Sequence, residues 1–452
     1  MNSMQATVND IVREWRHLWP GGLETRDYSV LNLMAHCRHG ELGFNRAECQ
    51  GCHHQEWYPS SCGDRHCPQC LGPRQAKWSE QVCERLPDCP HFHVVFTVPA
   101  EFHEFFAANY RIAADLFFRA VAETLRIFQT NDWKMGGAFF GVLHTWGRAL
   151  TWHPHIHLLV SAGGCRRSDG RWAQTRGNYL FPVRALSKVF RAIMLREIEA
   201  LDASRKVVWP EEFATLEQRR DWRLKLATKG WNVFSRPTLG NTRAVVRYLA
   251  RYTSRIAISN RRITRVDEEQ QTVSFEWKDY REGEKIKEMT LKGAEFIRRF
   301  TQHLVPKGFR RIRYFGLLCG SKGRIAELPG GPQKCAGERS LPPSRPACAR
   351  CGCEKWRYEA TYLTRRACIE GFESVVGLLA RGLEGFSLPP PAIRELNCPT
   401  SRMHATANHP TREKYVQAAA HDPKRSAKIY ENTDIPTTTS IPTDHHRVYP
   451  FW

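Results

Sequence analysis

The chain has 452 residues, with 67 Lys and Arg against 46 Asp and Glu, a formal net charge of +21. At about 100–200 residues per unit, that length suggests two to four units. No stretch approaches the ~18 unbroken apolar residues of a membrane span. The start, MNSMQATVNDIVREW, lacks the basic end and apolar run of a secretion signal. A membrane class is therefore not expected, and a cytoplasmic, nucleoid-associated location is.

Residues 1–35 read as a helical lead-in, because ATVNDIVREWRHLW places apolar residues at helical intervals. Residues 36–75 have the Cys, His, Gly and Pro density of a small metal-stapled module. Within them CQGCHHQEWYPSSCGDRHCPQC holds two Cys-x-x-Cys pairs, Cys49/Cys52 and Cys67/Cys70, separated by fourteen residues. Each pair can form a knuckle that presents two thiolates, and two knuckles complete a tetrahedral Zn²⁺ site. So short a segment buries too little apolar surface to fold alone, so metal would supply its folding energy. Cys62, His66 and Cys37 could replace one of the four or complete a second site. They read equally well as a buried thiol and a hydrogen-bonding ring. A closed four-cysteine site is structural, and its expected work is to shape a DNA-contacting surface.

Residues 91–330 alternate strand-like runs (HFHVVFTV, HIHLLVSA, TVSFEW, RIRYFGLL) with helix-like ones (FFAANYRIAADLFFRAVAETLRIF, AVVRYLARYTSRIA). That mixture suggests an α+β or α/β domain. In LHTWGRALTWHPHIHLLVSA, strand alternation puts His153, His155 and His157 on one side and Ile156, Leu158 and Val160 on the other. Histidines at i and i+2 of a strand can converge on one ion and leave positions open, as a catalytic metal requires. Mg²⁺ or Mn²⁺ suits phosphoryl chemistry. The third ligand is open: His153 lies on the right face but precedes Pro154, and His144 is a further candidate. No carboxylate lies between Gly136 and Cys165.

Further on, RAVVRYLARYTSRIAI stacks Tyr248 and Tyr252 at i and i+4 beside a stripe of Arg243, Arg247, Arg251 and Arg255. Arginines can hold a nucleic-acid backbone while a phenolate attacks phosphorus. Taken alone, such a pair is more often packing. The positive charge is clustered here. Asn241–Arg265 contains seven arginines and no acid, and Ile297–Ile325 contains eight Lys or Arg and no acid. The second cluster includes Lys307, Arg310, Arg311 and Arg313. Such clustering asks for a polyanion, most simply DNA bound through its phosphates. Residues 326–358 are rich in Gly, Pro and Cys, and Cys335, Cys348, Cys351 and Cys353 could bind a second zinc. Residues 359–386 could form a short helix, and the stretch from about 387 has the composition of a disordered tail. The expected units are thus 1–90, 91–325, 326–386 and 387–452.

Together SCGDRHCPQC, HFHVVFTVPAEF, HTWGRALTWHPHIHLLVSAGG, YLARYTSRIAISNRRI and FIRRFTQHLVPKGFRRIRYFGLL resemble, in order, the two-tyrosine transposases of the insertion sequence 91 family. These are a branch of the HUH endonucleases (His, hydrophobe, His). The resemblance implies a central antiparallel sheet with flanking helices and the His pair on a central strand. It implies Tyr248 and Tyr252 as nucleophiles that nick and rejoin single-stranded DNA at element ends. The product would be a 5′-phosphotyrosine and a free 3′-OH, as in rolling-circle transposition. Where the family commonly has Gln, seven residues before the first HUH histidine, this chain has Arg148. A plasmid or phage replication initiator or relaxase shares this chemistry. A DNA-binding protein that has lost catalysis would lack it.

Overall fold

The computed structural model describes residues 6–175, 180–238, 246, 256–279, 282–283, 285–319, 329 and 347–361. The chain opens with helices α1 (Val8–Glu14) and α2 (Thr25–Ala35). Thr7 and Asp10 start α1 by a reciprocal capping box. Strands β1 (Phe44–Cys49) and β2 (Gln55–Pro59) form a hairpin, and α3 (Leu71–Cys83) leads out of the cysteine-rich stretch. A distant strand, β12 (Trp356–Thr361), returns to pair antiparallel with β1. Residues 359–361, expected at the start of a helix, are therefore strand. The separation of 1–90 from 326–386 divides pieces that share one three-stranded sheet, β12-β1-β2.

The central sheet is six-stranded and antiparallel, with β6 (Trp172–Gln174) paired to one end of β5. The other strands run in the order β11 (Ile312–Gly316), β4 (Met135–Trp146), β5 (Trp152–Arg166), β3 (His91–Thr97), β7 (Asn232–Pro237). The expected α+β class is what the structure shows. The strand-like runs at 91, 155, 272 and 311 each lie in or across a strand. The long helical run divides at Asn109 into α4 (His103–Ala108) and α5 (Tyr110–Asn131). The Asn109 amide is the reason: its Nδ2 donates to Phe105 O at 3.1 Å and Val208 O at 2.7 Å, and its Oδ1 accepts from Val208 N at 2.8 Å.

Alternation gives the sheet two different faces. Phe92, Val94 and Phe96 of β3, Ile156, Leu158 and Val160 of β5, and Phe139 and Leu143 of β4 join the main core. Helices α5 and α6 (Val183–Ala203) cover this face, with Phe190 against both Phe96 and Phe117. Gly141 admits α5 closely, since a Cβ there would stand 3.1 Å from Ile156 Cγ2 and 3.4 Å from Phe118. On the opposite face, Val82, Cys83 and Leu86 pack on Ala138, Phe140, Val142 and Leu159. Val246 is buried in the same cluster. The histidines occupy the stretch of this face nearer the β4–β5 turn. A second antiparallel sheet, β8 (Ile263–Asp267), β9 (Thr272–Asp279) and β10 (Lys285–Lys292), is followed by α8 (Gly293–Thr301). A further helix, α7 (Leu216–Thr228), buries Trp222 and Leu226.

Candidate functional site

Three imidazoles meet on the face of the sheet opposite α5 and α6. His155 and His157 come from β5, and His144 of β4 stands directly opposite His155 in the ladder. A register irregularity between His144 and Trp146 marks this end of the pair. The ligand nitrogens of His144, His155 and His157 lie within 4.8 Å of one another. Of the two candidates for a third ligand, geometry selects His144. The ring of His153 is outside the group, and its carbonyl instead accepts the Nδ1–H of His155 at 2.7 Å. The reason is strand pitch: His153 lies two residues beyond His155 on its strand, towards the turn, whereas the ladder sets His144 beside it.

The donor set suits a cation. A carbonyl can only accept, so the His155 proton sits on Nδ1 and the Nε2 lone pair stays free. His157 Nδ1 lies 3.0 Å from Nε2 of His93, whose ring stacks on it at 5.2 Å. Withdrawal from solvent holds His155 and His157 well below the ordinary imidazole value, helped for His155 by its neighbours His157 and His153, and for His157 by His93 and Arg148. Both rings are therefore neutral, the form that ligates. Arg148 puts its positive charge near His157, and its backbone oxygen accepts from Arg262 at 2.6 Å. Sequence reasoning identified the pair but not His93, whose only signal was its alternation with Phe92 and Val94 in HFHVVFTV.

Among the described residues, eight cysteines form two groups, which corrects the expected pairing of Cys49/Cys52 with Cys67/Cys70. In one, the sulfurs of Cys37, Cys62, Cys67 and Cys70 lie within 4.8 Å of each other. In the other, Cys49 and Cys52 meet Cys348 and Cys351. The first group holds Cys37–Cys70, Cys62–Cys70 and Cys37–Cys67 contacts of 3.6 Å each. A tetrahedron with metal–sulfur bonds of about 2.3 Å has edges of about 3.8 Å, so the spacing fits zinc. Hydrogen bonds from Cys62 and Cys67 draw Cys37 down to about 7, while Cys62 is pushed up. Four thiols so close cannot all ionise without a cation among them. Asn9 Nδ2 donates to Cys67 Sγ at 3.2 Å, the outer support a ligating thiolate needs.

His66 is not a ligand in this arrangement. Its Nδ1 faces Asp64 at 2.7 Å, and its Nε2 accepts from Val305 N at 3.0 Å. Beside it, Arg65 donates to the carbonyls of Phe309 and Pro306 at 2.8 Å each. The cysteine loop thus grips the turn that carries Lys307 and leads into Arg310, Arg311 and Arg313. That basic segment borders a cavity of about 720 Å³ lined by Arg85, Arg111, Asp115, Arg310 and Arg313 among others. Arg313 pairs with Asp115 and lies 4.4 Å from the Phe118 ring centre. Arg311 sits 5.5 Å over Trp146, which in turn stacks on His144 at 4.4 Å. Tyr248, Tyr252, Arg243, Arg247, Arg251 and Arg255 lie outside the described residues, as do Cys335 and the stretch from 387.

Comparison with known proteins shows the family. Residues 138–324 match the family described as "Putative transposase", and residues 7–98 match the "Transposase zinc-binding domain". The protein titled "Putative transposase y4qJ" from Sinorhizobium fredii is 38% identical over 71% of this chain and 82% of its own length. The "Transposase for insertion sequence element IS801" from Pseudomonas savastanoi pv. phaseolicola is 33% identical over 67% of this chain and 73% of its own. A solved conjugative relaxase TrwC in complex with OriT DNA is 14% identical over 56% of this chain and 96% of its own, at a TM-score of 0.22. The two sequence relatives make the chain a transposase, and the match at residues 7–98 gives it an amino-terminal zinc-binding domain. Among transposases it belongs to the insertion sequence 91 family. Among the described residues, no helix is long and apolar enough to cross a membrane.

Proposed function

We propose that this transposase nicks and rejoins single-stranded DNA at the ends of its element through a phosphotyrosine intermediate. The observation that carries the reading is the convergence of His144, His155 and His157 on one sheet face, with the His155 Nε2 lone pair held free by the His153 carbonyl. A divalent ion bound there would neutralise and polarise the scissile phosphate. Magnesium or manganese would serve, and three imidazoles favour the softer manganese. Tyr248 and Tyr252 supply the nucleophiles. They follow Val246, which is buried on the same sheet face as the histidines.

In the proposed step one phenolic oxygen bonds to phosphorus as the bond from phosphorus to the 3′ oxygen breaks. The phenolic proton ends on the released 3′-OH, and the 5′-phosphate stays on tyrosine. Attack by a 3′-OH on that linkage reverses the step and joins a new strand, with no outside energy source. A second tyrosine permits a further transfer before the first end is released. The basic segment Lys307, Arg310, Arg311 and Arg313, and the stripe Arg243, Arg247, Arg251 and Arg255, would hold the DNA backbone.

Incubation with single-stranded oligonucleotides spanning the element ends, with Mn²⁺ or Mg²⁺, should give a covalent protein–DNA adduct. Changing both Tyr248 and Tyr252 to Phe should abolish it, and an adduct that survives refutes the nucleophile assignment. His144→Ala should reduce cleavage by at least about tenfold, the order seen for weakened metal sites, with DNA binding retained. Binding that is metal-independent and yields no adduct with the unaltered chain would favour a DNA-binding protein without catalysis.

A further inference from the structure

We propose that this chain carries a second structural zinc site, split between its amino-terminal hairpin and a segment beyond the catalytic domain, with ligands Cys49, Cys52, Cys348 and Cys351. Two of these residues lie outside both family matches, which end at residues 98 and 324. The sulfurs approach in crossed pairs, Cys49 to Cys351 at 3.5 Å and Cys52 to Cys348 at 3.6 Å. These separations are far beyond the ~2.05 Å of a disulfide and near the ~3.8 Å edge of a tetrahedral zinc–thiolate centre.

The backbone supplies an independent observation: the two Cys-x-x-Cys segments are built alike, bond for bond. Cys49 N donates to His54 O at 2.8 Å, and His53 N donates back to Cys49 O at 2.9 Å. Cys348 N donates to Cys353 O at 2.9 Å, and Gly352 N donates back to Cys348 O at 2.8 Å. The residue after the second cysteine is left-handed in both, at φ 56° for His53 and 70° for Gly352. A non-glycine residue accepts that conformation only against a cost, so the turn at His53 is held by its surroundings. Each turn aims two thiolates the same way, and the two turns face each other.

Their fit is close. Gly51 has no side chain because a Cβ there would meet Cys353 Cβ at 3.0 Å and Cys351 Sγ at 3.3 Å. Gln50 N donates across to Lys355 O at 3.0 Å, and Gly51 N donates to Cys49 Sγ at 3.4 Å. The apolar support is slight: Ala47, Cys49, Cys348 and Trp356, with Tyr58 and Cys353 beside them. So small a cluster cannot hold the far segment by packing alone, and a metal clasp completes it.

Elemental analysis of the purified full chain tests this, using a His155→Ala, His157→Ala background so that the histidine site adds nothing. Two zinc ions per chain are expected. Cys348→Ser with Cys351→Ser should leave one, and amide exchange at Ala47 and Tyr358, partners in β1 and β12, should accelerate. If that variant fails to fold, cobalt substitution of the unaltered full chain decides. Its thiolate-to-cobalt absorption should correspond to eight sulfurs, not four. One zinc in the parent chain, two in the serine variant, a four-sulfur cobalt spectrum, or disulfides at these cysteines would each overturn the proposal.

Discussion

Histidine serves here in three different ways, and the partner of each ring nitrogen decides which. His155 offers Nε2 outward because a carbonyl fixes Nδ1. His66 spends both nitrogens on protein groups and so fastens a turn. His303, fully buried, donates Nε2–H to Leu150 O at 3.2 Å and faces Thr145 Oγ1 with Nδ1 at 3.2 Å. Burial takes His303 down to about 3, and the Leu150 carbonyl only partly opposes this. Burial also lowers His91 to about 4. The sign follows from linkage. Above about pH 6.5 both folded and unfolded chains hold these rings neutral, and nothing changes. Below it the unfolded chain takes up protons that the folded chain refuses, so stability falls with pH until the folded values are reached. For His303 alone the loss by pH 5 is roughly 2 kcal/mol. Denaturant midpoints at pH 7 and pH 5 should show it, and His303→Phe should flatten the slope by about that amount. An unchanged slope would mean that the folded ring takes up protons as readily as the unfolded one.

At the scale of elements, the joint between α4 and α5 illustrates what a periodic pattern cannot contain. FFAANYRIAADLFF reads as one helix, yet Asn109 stops it by exchanging two hydrogen bonds with Val208, 99 residues away. Asn109→Ala would leave the Val208 amide and carbonyl without those partners, at about 1–3 kcal/mol. Urea unfolding should register that cost, and a neutral effect would show that water replaces the amide. Strands β3 and β5 of the central sheet were legible because their apolar residues alternate, whereas β4 and β7 were not read as strands. Phe92, Val94 and Phe96, like Ile156, Leu158 and Val160, alternate with polar or site-facing neighbours. The third histidine was legible only as an option, since the choice between His144 and His153 depends on inter-strand register. The cysteine pairing was misread for a similar reason. Spacing shows that two cysteines make a knuckle, but not which knuckle another will face across 300 residues of chain.

For the whole molecule, the amino-terminal module does more than hold metal. It is bolted to the catalytic body at several points: Val8 N donates to Asn260 Oδ1 at 3.1 Å, a Cβ on Gly293 would strike Trp15, and Arg65 and His66 grip residues 305–309. Arg65→Ala should leave the zinc content unchanged but weaken the turn before β11 by about 1.5–3 kcal/mol, the range for hydrogen bonds to a charged group. Hydrogen exchange over residues 305–313 should rise accordingly, and weaker binding to single-stranded DNA should accompany it. Unaltered exchange there would separate the cysteine loop from the basic segment. The pairing of β1 with β12 also bears on how the protein is made. At about 5–20 residues per second, β12 leaves the ribosome roughly 15–60 s after β1. Through that interval the outer edge of β1, Phe44–Cys49, has no strand to pair with, an invitation to another nascent chain. A message cut short before residue 356 would yield a protein whose amino-terminal sheet lacks its third strand, so the pairing of β12 with β1 marks that translation has passed the central sheet.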